Sequence, residues 1–136
     1  MLDASFTFQW LFQDEASPEG YAALAVIGHE GALVPPLWFV EITSGLGMAE
    51  RRGRIAEAKL PEALSLLRSL PLTVSEAPSL TGCEPILELM RAYRLTAYDA
   101  TYLELARGRR LPLATRDRDL IAAAPAIGVP LFAAAP

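Results

Sequence analysis

Four carboxylates stand where a parallel α/β chain places reactive groups. Asp3 follows the apolar stub Met1–Leu2, and Glu41 lies within one turn of the start of a helix that follows Leu33-Val34. Asp99 opens a helix beginning near Ala97, and Asp117 follows the strand-like Leu111–Ala114 in the run Ala114-Thr115-Arg116-Asp117. In an open parallel sheet, ligands bind outside the carboxyl ends of the strands, so these four groups are expected to meet at one edge. Two like charges ~4 Å apart repel by roughly 4 kcal/mol at an effective dielectric of 20. Such a cluster persists only where some groups hold protons or a cation neutralises them. An all-oxygen set suits magnesium or manganese rather than zinc. A divalent ion held there would activate a water and stabilise charge on a phosphoryl oxygen. The residues thus point to metal-dependent phosphoester hydrolysis.

Three of the four also have a purely structural use. Asp3 would N-cap the first helix with Ser5 assisting, Thr96 to Asp99 has capping-box spacing, and Asp117 would cap the helix that carries Leu120. Glu41 sits among Trp38, Phe39, Val40 and Ile42, and faces either a core or a cleft. A buried glutamate needs a partner.

The elements that must position these groups are short strands alternating with helices. Phe6, Trp10 and Leu11 recur at helical spacing from Ala4 to Phe12, and Ser17-Pro18-Glu19 starts a second helix that runs to Gly31. Pro35-Pro36 ends the strand Leu33-Val34, and helix three runs from Leu37 towards Arg51 with Gly45 and Gly47 weakening its middle. Pro61 opens a helix bearing Leu64, Leu67 and Leu70. Leu72-Thr73-Val74 reads as a strand, followed by a helix with Ile86, Leu87 and Met90 and another from Ala97 to Arg107. Leu111–Ala114 reads as a strand, Leu120–Ala124 as a helix and Val129–Phe132 as a last strand. The expectation is a three-layer α/β fold around a parallel sheet of four or five short strands, one domain over residues 1–136.

Composition excludes several classes. The 136 residues are 52% hydrophobic, too apolar for a disordered tail. Sixteen acidic residues against twelve basic ones leave a net charge of −4, unlike a strongly basic duplex binder. Cys83 is alone, so neither an internal disulfide nor a zinc cluster is available. The first residues carry no basic stretch and reach Asp3 at once, unlike a signal peptide. No run approaches 18 uncharged apolar residues, so no membrane span is expected and the protein is read as cytoplasmic.

Four blocks carry a resemblance: Met1-Leu2-Asp3-Ala4-Ser5, Pro36 to Glu41, Leu95 to Ala106 (LTAYDATYLELA) and Leu113-Ala114-Thr115-Arg116-Asp117. In order and spacing they resemble a PIN-domain protein, most nearly a VapC-type ribonuclease toxin of a type II toxin–antitoxin pair. The resemblance implies a PIN-like α/β/α sandwich and magnesium- or manganese-dependent cleavage of RNA by a metal-activated water. It implies Asp3 and Asp99 as principal metal ligands, with Glu41 and Asp117 completing the acidic site. Ser5 and Thr115 match positions that hydrogen-bond the site from behind. The implied partners are RNA, a cognate VapB-type antitoxin and a second copy of the chain. The family usually carries an asparagine three residues after the helix-three glutamate. Ser44 stands there instead and cannot make the same pair of hydrogen bonds, so another group must orient Glu41. The first strand is also short ahead of Asp3.

Eleven of the twelve basic residues are arginines, suited to bidentate phosphate contacts. Arg116 and Arg118 flank Asp117 and are the expected RNA contacts at the rim of the pocket. Phe8 and Phe12 lie on a different helix face from Phe6 and Trp10, which leaves apolar surface for a partner to cover. The competing reading is a catalytically weak or inactive PIN-like module whose acidic edge receives arginines of a protein partner.

Overall fold

The protein is described by a computed structural model over residues 1–133. Its helices are α1 (Ala4–Leu11), α2 (Pro18–Glu30), α3 (Leu37–Arg51), α4 (Leu60–Ser69), α5 (Cys83–Tyr93), α6 (Ala97–Arg109) and α7 (Arg118–Ala126). Its regular strands are β1 (Ala32–Val34) and β2 (Leu72–Val74), paired in parallel with Leu33 opposite Thr73.

Local chemistry starts the helices where the sequence places them. The Ser17 hydroxyl accepts the Gly20 amide at 3.0 Å ahead of Pro18, and Thr96 accepts the Asp99 amide at 3.2 Å. Helix α1 stops at Leu11, one residue earlier than periodicity suggests, because Phe12 turns to extended backbone. Helix α6 runs on to Arg109, beyond the expected Arg107. Helix α7 spans more than Leu120–Ala124, since Asp117 caps it at one end and Pro125 falls near the other.

The expected sheet of four or five strands is realised as two regular strands and three bridged segments. Leu2 pairs with Ala114 and Leu113 with Leu131, both in parallel through isolated bridges. The Leu2 amide donates to the Leu33 carbonyl at 3.0 Å, which joins these segments to β1. Spatial order is therefore Leu131, Leu113-Ala114, Leu2, β1, β2. Prolines account for the truncation: Pro112 and Pro130 have no amide to extend a ladder.

Leu2, Val34, Trp38, Tyr102, Leu103, Leu113 and Leu120 are fully buried and tie the strand segments to α3, α6 and α7. The aromatic excess of α1 is largely absorbed inside the chain. Phe8 stacks on Phe12 at 5.3 Å between centroids, and the Arg54 guanidinium lies 4.6 Å over Phe12. Arg54 is further held by Asp14 and Glu15, at 2.8 and 2.7 Å. No helix is long and apolar enough to cross a membrane among the described residues.

Candidate active site

The segment order brings the ends of Leu2 and Ala114 side by side, so Asp3 and Thr115 leave the sheet together. A cavity of about 310 Å³ opens there, lined by Asp3, Glu41, Asp99 and Asp117 with Ser5, Phe8, Ser44, Gly45 and Met48. Each carboxylate comes from a different element: the first segment, α3, α6 and the approach to α7.

Each is gripped on one oxygen. Asp3 Oδ2 accepts the Ser5 and Thr115 hydroxyls, the latter at 2.6 Å. Asp3 precedes α1 but makes no side-chain cap, so the capping use open to it in sequence does not occur. Asp99 Oδ2 accepts the Thr96 hydroxyl, which in return takes the Asp99 amide. Asp117 Oδ1 accepts the Asp119 and Leu120 amides at 2.9 and 3.0 Å, a true N-cap. Glu41 Oε2 accepts the Tyr102 hydroxyl at 2.5 Å. Among the described residues the second oxygen of each carboxylate takes no side-chain hydrogen bond.

The hydroxyls form a connected scaffold. Thr115 Oγ1 also accepts the Asp117 amide at 3.0 Å and lies 3.3 Å from Ser5 Oγ. Ser5 Oγ accepts the Arg116 amide at 2.9 Å. Shifting Asp3 therefore shifts the entry to α7. Ser44 lines the cavity but stays exposed, and Tyr102 is the donor to Glu41. Arg116 spends one guanidinium N–H on the Glu15 carbonyl at 3.1 Å, while Arg118 is exposed on the first turn of α7.

Electrostatically the site is strained toward neutrality. Burial pushes the Asp3 carboxyl up despite the Ser5 and Thr115 hydroxyls, and Asp99 adds to the rise. Asp99 is pushed up by burial, opposed by Thr96, with Asp117 and Asp119 raising it further. Glu41 is pushed up to about 7, chiefly by burial, against the Tyr102 hydroxyl and with help from Asp3 and Asp99. The donor set and this proton affinity fit a hard divalent cation, although no three of these groups close on one point among the described residues.

A pH dependence follows for the metal-free protein. Glu41 holds its proton up to about 7 when folded but only to about 4.5 when unfolded, so the folded state binds more protons between these values. Its stabilising contribution is full below about 4.5 and lost as pH rises through 7. The side chain is only partly buried, and screening by solvent reduces the contribution to on the order of 1 kcal/mol. Thermal unfolding in chelator should show a fall of about 2–4 °C from this group between pH 5 and 8. Glu41→Gln should flatten it; an unchanged slope would remove Glu41 as the source.

One further group belongs to the site that the sequence did not single out. Tyr102 lies one turn beyond Asp99 on α6, and a buried tyrosine needs a hydroxyl partner, which was the available signal. Asp119 is exposed in the first turn of α7 and adds to the rise of Asp99.

The family model of the PIN domain matches residues 1–125. The crystal structure of PAE2754 from Pyrobaculum aerophilum superposes with a TM-score of 0.68 at 27% identity, covering 90% of this chain and 83% of that one. No curated protein matches the sequence.

Proposed function

The chain belongs to the PIN-domain family, a nuclease-type superfamily, and from that premise we propose that it is a magnesium- or manganese-dependent endoribonuclease, the toxin of a VapBC-type pair. The observation that supports this reading is the meeting of four carboxylates from four elements round one cavity, each with one oxygen fixed by the fold. Asp3, Asp99, Glu41 and Asp117 would hold the cation. When bound, it would offset their repulsion and supply positive charge against the phosphoryl group.

The chain's own residues do the rest. Ser5 and Thr115 keep Asp3 from rotating, and Thr96 does the same for Asp99. Glu41 takes up or releases a proton near neutrality while the site is metal-free. Arg116 and Arg118 lie beside Asp117, where an RNA backbone needs positive charge to approach an acidic pocket. As proposals on the same footing, a VapB-type antitoxin and a second copy of the chain are its protein partners, and the cytoplasm its compartment.

The test is cleavage of a labelled structured RNA pool by the protein and by Asp99→Asn, in manganese, in magnesium and in chelator. Metal-dependent cutting by the unmodified protein alone is the expected result. No cutting together with no manganese binding would overturn it, and favour a module that receives arginines of a protein partner in the acidic pocket.

A further inference from the structure

Glu41 is held differently from the other carboxylates. Asp3 and Asp99 are gripped by hydroxyls close in sequence or across one strand bridge, and Asp117 by its own helix. Glu41 is gripped across 61 positions of chain, by a tyrosine of another helix. Tyr102 has no exposed surface, and the residues round it in the core include Leu103 and Ala106 of its own helix, also fully buried. Its ring is therefore a fixed post rather than a mobile arm. Ser44, one turn along α3 from Glu41, is exposed, and the hydroxyl that donates to Glu41 is that of Tyr102.

A carboxylate with one oxygen engaged offers the other in one direction. We infer that Tyr102 is the positioning residue for Glu41: its hydroxyl holds Oε2 and turns Oε1 toward the cavity. This rests on the nuclease reading for its catalytic consequence, though not for the link itself. Tyr102 touches neither cation nor RNA in this scheme. It acts through Glu41 alone, so its removal has no effect where Glu41 is already disabled.

The experiment compares the unmodified protein, Tyr102→Phe, Glu41→Gln and the double variant. Phenylalanine keeps the buried ring, so thermal unfolding should confirm a folded chain. Calorimetric titration with manganese should show affinity reduced ~10- to 100-fold in Tyr102→Phe, the range for losing a group that orients a ligand. At saturating manganese kcat should fall ~10-fold or more with KM for RNA unchanged, and the double variant should match Glu41→Gln. Full losses that multiply in the double variant would overturn the inference, as would manganese affinity and kcat unchanged in Tyr102→Phe. A metal-free readout separates this from the nuclease reading. The shielded Tyr102 hydroxyl proton should give a slowly exchanging downfield NMR resonance that is lost in Tyr102→Phe and moved in Glu41→Gln. If the unmodified protein neither binds manganese nor cuts RNA, the nuclease reading falls, and this resonance decides the link: unmoved by Glu41→Gln, it is overturned.

Discussion

Asp3→Asn is expected to abolish RNA cleavage while making the metal-free protein more heat-stable. The two effects have one cause. Asp3 is 4% exposed, and burial already pushes its carboxyl toward the neutral form. An asparagine keeps an oxygen to accept the Ser5 and Thr115 hydroxyls, so the scaffold joining Asp3, Thr115 and Asp117 persists. Its NH₂ then occupies the place of the second carboxylate oxygen and presents hydrogen where a cation needs a lone pair. Cleavage should drop at least ~1000-fold, about 4 kcal/mol of lost transition-state stabilisation. The melting temperature in chelator should rise by a few °C, because a desolvated like charge has gone. Gel-based cleavage and thermal unfolding of the same preparation test both. Cutting within tenfold of the unmodified protein would remove Asp3 from the site, and a lower melting temperature would mean that its charge stabilises the fold.

The positions of all four carboxylates were legible because each follows a strand segment or opens a helix, and such boundaries are marked by proline, threonine and capping spacings. What holds them was less legible. Ser5 lies two residues from Asp3 and Thr115 two from Asp117, so those bonds are local. The Thr115 bond to Asp3 spans 112 positions and was expected only from the family resemblance. Tyr102 reaches Glu41 from another helix, and no local pattern encodes a contact across 61 positions. The sheet was over-read for a related reason. Leu111–Ala114 and Val129–Phe132 have strand composition, but ladder length is set by backbone donors, and Pro112 and Pro130 supply none.

Gly45 shows the same limit from the other side. In sequence it reads as a weak point of helix three. In the structure a Cβ at this position would lie 2.1 Å from Cζ of Phe8, and Phe8 is itself stacked on Phe12 beneath Arg54. The residue that weakens the helix is the one that lets α1 close on α3 beside the carboxylates. Helix propensity and interhelical approach compete at one position, and approach wins.

Trp38→Ala is expected to give the largest loss of stability. Trp38 is 2% exposed and packs edge-on against Phe39 at 5.1 Å. Truncating a buried tryptophan costs about 3–5 kcal/mol, the lost burial plus the cavity left behind. For a chain of this size that corresponds to roughly 10 °C in melting temperature. The loss reaches the site through one residue. The Trp38 indole N–H donates to Thr7 Oγ1 at 3.3 Å, and that hydroxyl donates to the Asp3 carbonyl at 3.2 Å. Trp38→Phe separates the two contributions. It keeps most of the ring volume and removes the indole donor, while Thr7 retains its bond to Asp3. Its cost should be nearer 1 kcal/mol, the net worth of one hydrogen bond. Well below its melting temperature it should still cut RNA, because the carboxylate scaffold is intact. Equal destabilisation by Ala and Phe would place the energy in the hydrogen bond. A large gap, with cleavage retained in Trp38→Phe, would place it in packing: α3 is then held under the acidic pocket by the bulk of one side chain, and Asp3 is oriented by its own hydroxyl partners.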